Sequence, residues 1–354
     1  MKSNLKLVST VDMSHDQWLA YRLNGIGGSE VSAILGLNPY YSSHKLFYQK
    51  LGEVDYPAEN IHMFWGKEHE DKIAEIWKFH DPNKPDFETT MINRKAGKVV
   101  RNNRRVNAYI TNPDFNYAFA SVDRLINKGD ADKEGVLECK TISAFAANVW
   151  EAGIPPMYVA QLQYYLMVLD LDYGELATLK DGKYFDVIPF ERNNDFIKLI
   201  DESCRRFWDL VTRARILKQE GKPFEQLEPE IDNQEAYKLF LTERYNAEAI
   251  KVAPAMEYLD LGREYLSVGE DIKELEEKQA EIANRIKAYM KDGDMIDFGA
   301  AGKITWKQNK DSVTFDKDKF KSENPGLFDK YIITKPGARV FKVGVKKLEQ
   351  AVAA

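Results

Sequence analysis

Two short apolar stretches carry charge in a way that limits the folds open to this chain: Ala120-Ser121-Val122-Asp123, and Glu138-Cys139-Lys140 fifteen residues beyond Asp123. As neighbouring strands of a β-hairpin, an acid at the end of one and Glu-x-Lys on the next bring three polar groups to one face, while Cys139 points to the core. Charge on a face flanked by apolar strand positions is costly to bury unless it pairs or binds an ion. Glu138 and Lys140 can pair with each other, as in many strand pairs. A metal accounts for all three groups. Two carboxylates and a backbone carbonyl, that of Cys139, form the hard oxygen site that Mg²⁺ takes while keeping several waters. A lysine beside such a site can orient or deprotonate an attacking water and offset charge on a phosphorane-like transition state.

Around this hairpin, helical and strand periods alternate through roughly the first two hundred residues, the pattern of an α/β (α+β) domain. Ser14 to Tyr21 reads as a capped helix start, and Ser29–Leu35 as a short helix opening after Gly27-Gly28. Ser43–Leu51 follows, then a longer amphipathic helix from about Met63 to Phe79 with Trp65, Ile73, Ile76 and Trp77 for its buried side. The strand region begins near Phe87 and continues through Lys98–Val100, Tyr117–Asp123 and Gly135–Thr141, with Asn127-Lys128-Gly129-Asp130 as a turn. A helix over Met157–Leu169, strands over Tyr173–Leu179 and Tyr184–Pro189, and a helix over Asn193–Lys218 complete a first domain of residues 1–222.

Residues 223–354 have a different character. Lys218–Glu235 is polar, with two prolines, and reads as a linker. From Tyr258, the residues Leu261, Tyr265, Val268, Ile272, Leu275, Ile282, Ile286 and Tyr289 keep a three-four alternation interrupted by Gln279, which is a coiled-coil seam. Its partner is either the short helix Ala236–Tyr245, giving a hairpin over about 236–292, or a copy from another subunit. Gly293 ends the long helix. A small α+β unit over about 293–354 then holds strands Gly302–Lys307 and Arg339–Val343 and a helix Asp316–Ser322.

Composition excludes several classes. No run approaches eighteen apolar residues, and Met1–Asp12 lacks the apolar stretch of a secretory signal, so the expected compartment is the cytoplasm, with no membrane contact. Two cysteines, Cys139 and Cys204, cannot supply a disulfide framework, a four-thiolate zinc site or a four-cysteine iron-sulfur cluster. The five histidines show no metal-ligand spacing, and no Walker loop is present. The formal net charge of −6 argues against bulk coating of nucleic acid, but it is unevenly spread. Residues 225–281 hold 6 basic and 16 acidic residues, whereas residues 282–354 hold 15 basic and 9 acidic, including Lys303, Lys307, Lys310, Lys317, Lys319 and Lys321. Arg94-Lys95-x-x-Lys98-x-x-Arg101-x-x-Arg104-Arg105 places six positive charges in twelve residues with no acid, a surface suited to duplex phosphates or simply solvated. Arg22, the Ser29 hydroxyl and the Gly27-Gly28 amides together could cradle an anion, unless Arg22 pairs with a local acid and Ser29 only caps its helix.

In chain order, the motifs are Trp18-x-x-x-Arg22, then Ile26-Gly27-Gly28-Ser29-Glu30 leading to Ile34-Leu35-Gly36-Leu37-Asn38-Pro39-Tyr40, then Gly66-x-x-x-Glu70, Ser121-x-Asp123, Glu138-x-Lys140 and Tyr158-x-x-Gln161-x-Gln163. Over about Trp18–Phe190 this order resembles the phage lambda exonuclease and YqaJ-like viral recombinase group of the PD-(D/E)XK nucleases. The resemblance implies a restriction-endonuclease-like core, a mixed central sheet flanked by helices. It implies that Asp123 and Glu138 coordinate a catalytic Mg²⁺, with Mn²⁺ able to substitute, that Glu70 joins them from its helix, with Glu68 as a rival, and that Lys140 activates water. Gln161 would lie on the helix that closes the site. Arg22, Ser29 and Ser121 would match a pocket for a 5′-terminal phosphate, and Arg101, Arg104 and Arg105 would touch DNA.

The activity so implied is 5′-to-3′ digestion of linear double-stranded DNA from its ends, leaving 3′ single-stranded tails for phage-type recombination in the cytoplasm of a bacterial host. A homo-oligomer, a trimer ringing DNA, follows from the same resemblance, while the acidic seam either stabilises its own module with a solvated face or docks a recombination partner such as a single-strand annealing recombinase. The rivals are an endonuclease on the same core and a non-catalytic DNA-binding recombination scaffold. An iron-sulfur nuclease is opposed by the cysteine count.

Overall fold

The computed structural model of the chain describes residues 4–127, 134–143, 149–150, 153–232, 235–245, 252–333 and 340–345. It divides into two units, Met1–Tyr245 and Asn246–Ala354.

In the first unit, β1 (Lys6–Ser9) is followed by α1 (His15–Arg22), which Ser14 caps in a reciprocal box with Gln17. Next come α2 (Gly28–Ile34), α3 (Ser43–Lys50), α4 (Ile61–Trp77) and α5 (Phe87–Lys95). Strands β2 (Asn103–Arg105), β3 (Ala108–Thr111), β4 (Phe119–Ala120), β5 (Arg124–Asn127) and β6 (Glu134–Ile142) follow, then α6 (Pro156–Leu169). The unit closes with β7 (Tyr173–Lys180), β8 (Tyr184–Glu191), α7 (Asn194–Gln219) and α8 (Glu235–Arg244). Its main sheet has five strands in the order β2-β5-β6-β7-β8, all antiparallel except the β6–β7 pair. A smaller sheet has the order β1-β3-β4. This mixed sheet flanked by helices is the α/β architecture that the alternating periods call for.

The central strands of the sheet are covered on both faces, whereas the edge strands β2 and β8 stay partly exposed. On one side Ile126, Leu137, Cys139, Tyr173 and Ala177 pack against Ile73, Ala74 and Trp77 of α4. On the other, Leu125 and Val136 meet α6, whose residues from Ala160 to Leu169 are all buried. A helix apolar on every side can only be central. Gly28 lets α2 approach it closely: a Cβ there would sit 2.4 Å from the Tyr165 ring.

Three expectations are corrected in this unit. The stretch from Phe87 is a helix, because Asp86 caps it through the Thr89 amide at 2.6 Å and Asn93 turns inward to the Phe79 carbonyl at 3.0 Å. Lys98–Val100 is correspondingly irregular, with the Val100 amide donating to the Lys78 carbonyl at 2.9 Å. The segment after residue 222 is no free linker: Leu227 is buried, and α8 packs on α3 through Tyr237 over His44 (4.0 Å) and Phe240 near Tyr48 (5.6 Å). The first compact unit therefore runs on past residue 222 to Tyr245 and includes α8. In the expected turn at 127–130, residues 128–130 lie outside the described residues.

In the second unit, α9 (Met256–Met290) carries the seam. It is followed by a hairpin of β9 (Met295–Asp297) and β10 (Lys303–Thr305), then α10 (Lys317–Glu323) and α11 (Pro325–Lys330). The strand near Gly302–Lys307 pairs with Met295–Asp297. Residues 340–343 are not a strand, and Arg339 lies outside the described residues. Among the described residues no helix is long and apolar enough to cross a membrane.

Phe240 is 4% exposed within the core of the first unit. Phe240→Ala in the full chain should lower the stability of that unit by about 3–4 kcal/mol, read as a reduced urea midpoint. An unchanged midpoint would show that α8 is peripheral.

Candidate active site

Two elements supply the charged cluster, and strand register aligns it. Arg124 pairs with Leu137 across β5–β6, and continuing that register sets Asp123 opposite Glu138. The Asp123 Oδ2 accepts the Cys139 amide at 2.8 Å, doing the work of a ladder bond where β5 has not yet begun. In a strand a residue's N–H and C=O point to the same edge, so the Cys139 carbonyl also faces the Asp123 side. The Cys139 side chain lies in the apolar layer over α4, and burial pushes its thiol pKa up. This is a packing thiol rather than a nucleophile.

Glu138 is 3% exposed. Its Oε1 accepts from Lys140 Nζ at 2.6 Å and from Gln161 Nε2 at 2.8 Å, and Gln161 also donates to the Tyr165 hydroxyl at 2.9 Å. The other oxygen, Oε2, is buried with no hydrogen-bond partner among the described residues. Lys140 Nζ stands 5.4 Å from the Tyr158 ring centre. α6 thus closes the hairpin from one side, with Tyr158, Gln161 and Tyr165 one turn apart on one stripe.

Glu70 approaches from α4 but is turned aside. Its Oε1 accepts from Arg124 at 2.6 Å and Arg105 at 3.3 Å, and Asp71 pairs with the same two arginines. Glu68 is exposed, whereas Glu70 is half-buried and close enough to act electrostatically on Asp123. Among the described residues no group of three or more His, Cys, Asp and Glu side chains is placed to hold one metal ion. The groups that could hold one are Asp123, Glu138 and the Cys139 carbonyl.

Charge balance here is unequal. Burial raises the Asp123 pKa well above its ordinary value, and the carboxylates of Glu138 and Glu70 raise it further, against Lys140 and the Cys139 amide. Burial also opposes the charge on Lys140, but Glu138 and Asp123 outweigh it and keep the ammonium protonated. With Glu70 matched by Arg124, two acids share one lysine.

The Arg22 site holds its own anion. Glu30, 2% exposed, accepts from Arg22 at 2.7 Å, Lys50 at 2.8 Å, the Gly27 amide at 2.8 Å and the Tyr56 hydroxyl at 3.2 Å. Burial pushes the Glu30 carboxyl up, but Lys50, Arg22 and the Gly27 amide hold its pKa down at about 2. Burial lowers Lys50 to about 8 even beside Glu30, which it shares with Arg22. The Gly27 amide is therefore not open to an outside anion, and the expectation that Arg22 pairs with a local acid describes the structure. Arg22 also donates weakly to Ser29 Oγ at 3.4 Å. Ser121 is exposed two residues beyond Phe119, whose ring centre is 5.8 Å from the Arg22 guanidinium. Sequence reading missed Lys50, since nothing at that position marks a lysine that is fully enclosed by α3 packing.

The basic run is largely spent within the chain. Arg101 is pulled inward, pairing with Glu175 at 2.7 Å and stacking over Trp77 at 3.9 Å, so its expected exposure is corrected. Arg104 pairs with Glu134 at 2.6 Å and Arg105 with Asp71 at 2.8 Å, both remaining exposed.

The chain matches the YqaJ-like viral recombinase domain over residues 17–172. The uncharacterized protein YqaJ of Bacillus subtilis (strain 168) is 31% identical over 334 residues, covering 92% of each chain. The chain belongs to the YqaJ-like viral recombinase family. Among solved structures, the alkaline exonuclease LHK-Exo from Laribacter hongkongensis is 19% identical, with 58% of this chain and 97% of that chain covered at a TM-score of 0.43. A phage related exonuclease from Haemophilus somnus 129PT is 12% identical, with 53% and 95% covered at a TM-score of 0.33.

A carboxyl whose folded pKa is raised contributes most to stability below its unfolded pKa and loses that contribution as pH rises toward the folded value. Asp123→Asn should therefore stabilise the protein in EDTA at pH 8. The gain should shrink as pH falls toward 4, read by thermal unfolding. A destabilised variant at pH 8 would contradict this electrostatic reading.

Proposed function

We propose that the chain is a Mg²⁺-dependent deoxyribonuclease that digests linear double-stranded DNA from 5′ ends and leaves 3′ single-stranded tails. The observation that carries this reading is the facing pair of half-buried Asp123 and buried Glu138, with Glu138 Oε2 unpartnered beside a protonated lysine. Excess buried negative charge and a bare carboxylate oxygen fit a hard divalent cation. Asp123, Glu138 and the Cys139 carbonyl would hold it, with Mn²⁺ as a substitute. Bound there, such an ion lowers the pKa of water and offsets charge on a phosphate.

The remaining work falls to side chains. Lys140, held protonated by the two acids, is suited to orient the attacking water and to balance charge gathering on the scissile phosphate. Gln161 fixes Glu138 Oε1, so that Oε2 is the oxygen left to bind. Arg124 keeps Glu70 near but apart, available as a third acid if its ion pair opens. Attack of water on phosphorus releases the DNA oxygen as leaving group, with no covalent enzyme intermediate.

Arg22 and Lys50 outweigh Glu30 by one positive charge, and this supports reception of a terminal phosphate near Ser29 and Ser121. End-labelled linear duplex with Mg²⁺ is the test. Mononucleotides should be released from 5′-phosphorylated ends, and Asp123→Ala and Lys140→Ala should each reduce the rate at least about a hundredfold. Unchanged activity in either variant would remove the site assignment, and cleavage of closed circles would remove the exonuclease reading.

A further inference from the structure

We infer that α9 pairs antiparallel with α9 of a second copy of this chain. The helix spans Met256–Met290, about 50 Å at the usual rise per residue. Among the described residues of its own unit, it is covered along one stripe near its start and at Ala283, Ile286 and Met290 near its end. Leu259, Gly262, Arg263 and Leu266 are partly buried, Gly262 lies against Val343 and Val345, and the Tyr265 ring meets Phe341 at 5.5 Å. The adjoining seam stays open: Val268, Ile272, Leu275 and Ile282 are 48% to 66% exposed. A strict heptad seam of this length is built for another helix, and the flanking charges select which.

The positions just before alternate seam residues are Glu264, Asp271, Lys278 and Arg285, acidic in the first half and basic in the second. All four are exposed. The opposite flank carries Gly262, Gly269, Glu276 and Ala283, with almost no charge to offer. In a parallel pair the two flanks meet each other, so Asp271 would face Glu276 of the partner subunit, a like-charged contact with no compensating attraction. In an antiparallel pair each flank meets its own copy. Setting Ile272 against the partner subunit's Leu275 then brings Asp271 to the partner subunit's Lys278 and Glu264 to the partner subunit's Arg285, each twice by symmetry. No like charges meet in that register, and the polar Gln279 falls opposite Val268 of the partner subunit, which discourages slippage of the seam. This inference does not rest on the nuclease reading.

Full-length Val268→Cys and Gln279→Cys proteins, mixed and mildly oxidised, test it. The mixture should give a disulfide-linked dimer joining the two variants, while neither variant links to itself. Asp271→Lys, a surface change on an exposed helix, should weaken association about tenfold or more by sedimentation, and adding Lys278→Asp should restore it. Self-linking of Gln279→Cys, absence of the mixed dimer at tens of micromolar, or failure of the charge swap to restore association would each overturn the proposal.

Discussion

The first unit is organised around two carboxylates on adjoining backbone segments that share a single half-buried lysine. Asp123 and Glu138 are brought face to face by the β5–β6 register, and neither can turn away, because Asp123 is tied to the Cys139 amide and Glu138 to Lys140 and Gln161. Like charges at such close quarters, out of water, are destabilising unless a proton or a cation intervenes. The rest of the unit supports that arrangement. α4 buries one face of the sheet and brings Glu70 to its edge, α6 seals the other and supplies Gln161, and α2 is drawn onto α6 through Gly28. Stability is traded for a site with charge left over, a pattern common where chemistry is done.

The same logic runs the opposite way at Arg22. There the chain provides the anion itself, and Glu30 is held by two cations, an amide and a hydroxyl. One pocket lacks a cation and the other has one to spare. On the proposed nuclease reading, a phosphodiester substrate would supply charge of the sign that the second pocket can receive, and the first would receive the ion that such chemistry needs.

Much of this was legible from local pattern. Alternation placed Glu138 and Lys140 on one face and Cys139 on the other, and the periodicity from Met157 foretold a helix. What escaped depends on distance in sequence or on one capping atom. Lys50 meets Glu30 across twenty residues, and no periodicity records that. The helix at Phe87–Lys95 follows from Asp86, whose cap outweighs the β-branched Thr89 and Thr90 that suggested a strand. Arg101 in a run of positive charge looked solvated, yet Glu175 and Trp77, far along the chain, draw it inward. The short helix after the polar stretch carries two aromatic anchors, Tyr237 and Phe240, which bring it back onto α3.

Anomalous diffraction from crystals soaked in millimolar Mn²⁺ addresses the central claim most directly. The account predicts a peak bonded to Asp123 and to Glu138 Oε2 at about 2.0–2.3 Å, with Lys140 and Gln161 still on Oε1. A Mn²⁺ peak elsewhere, or an empty position between those two carboxylates at full soak, would contradict it.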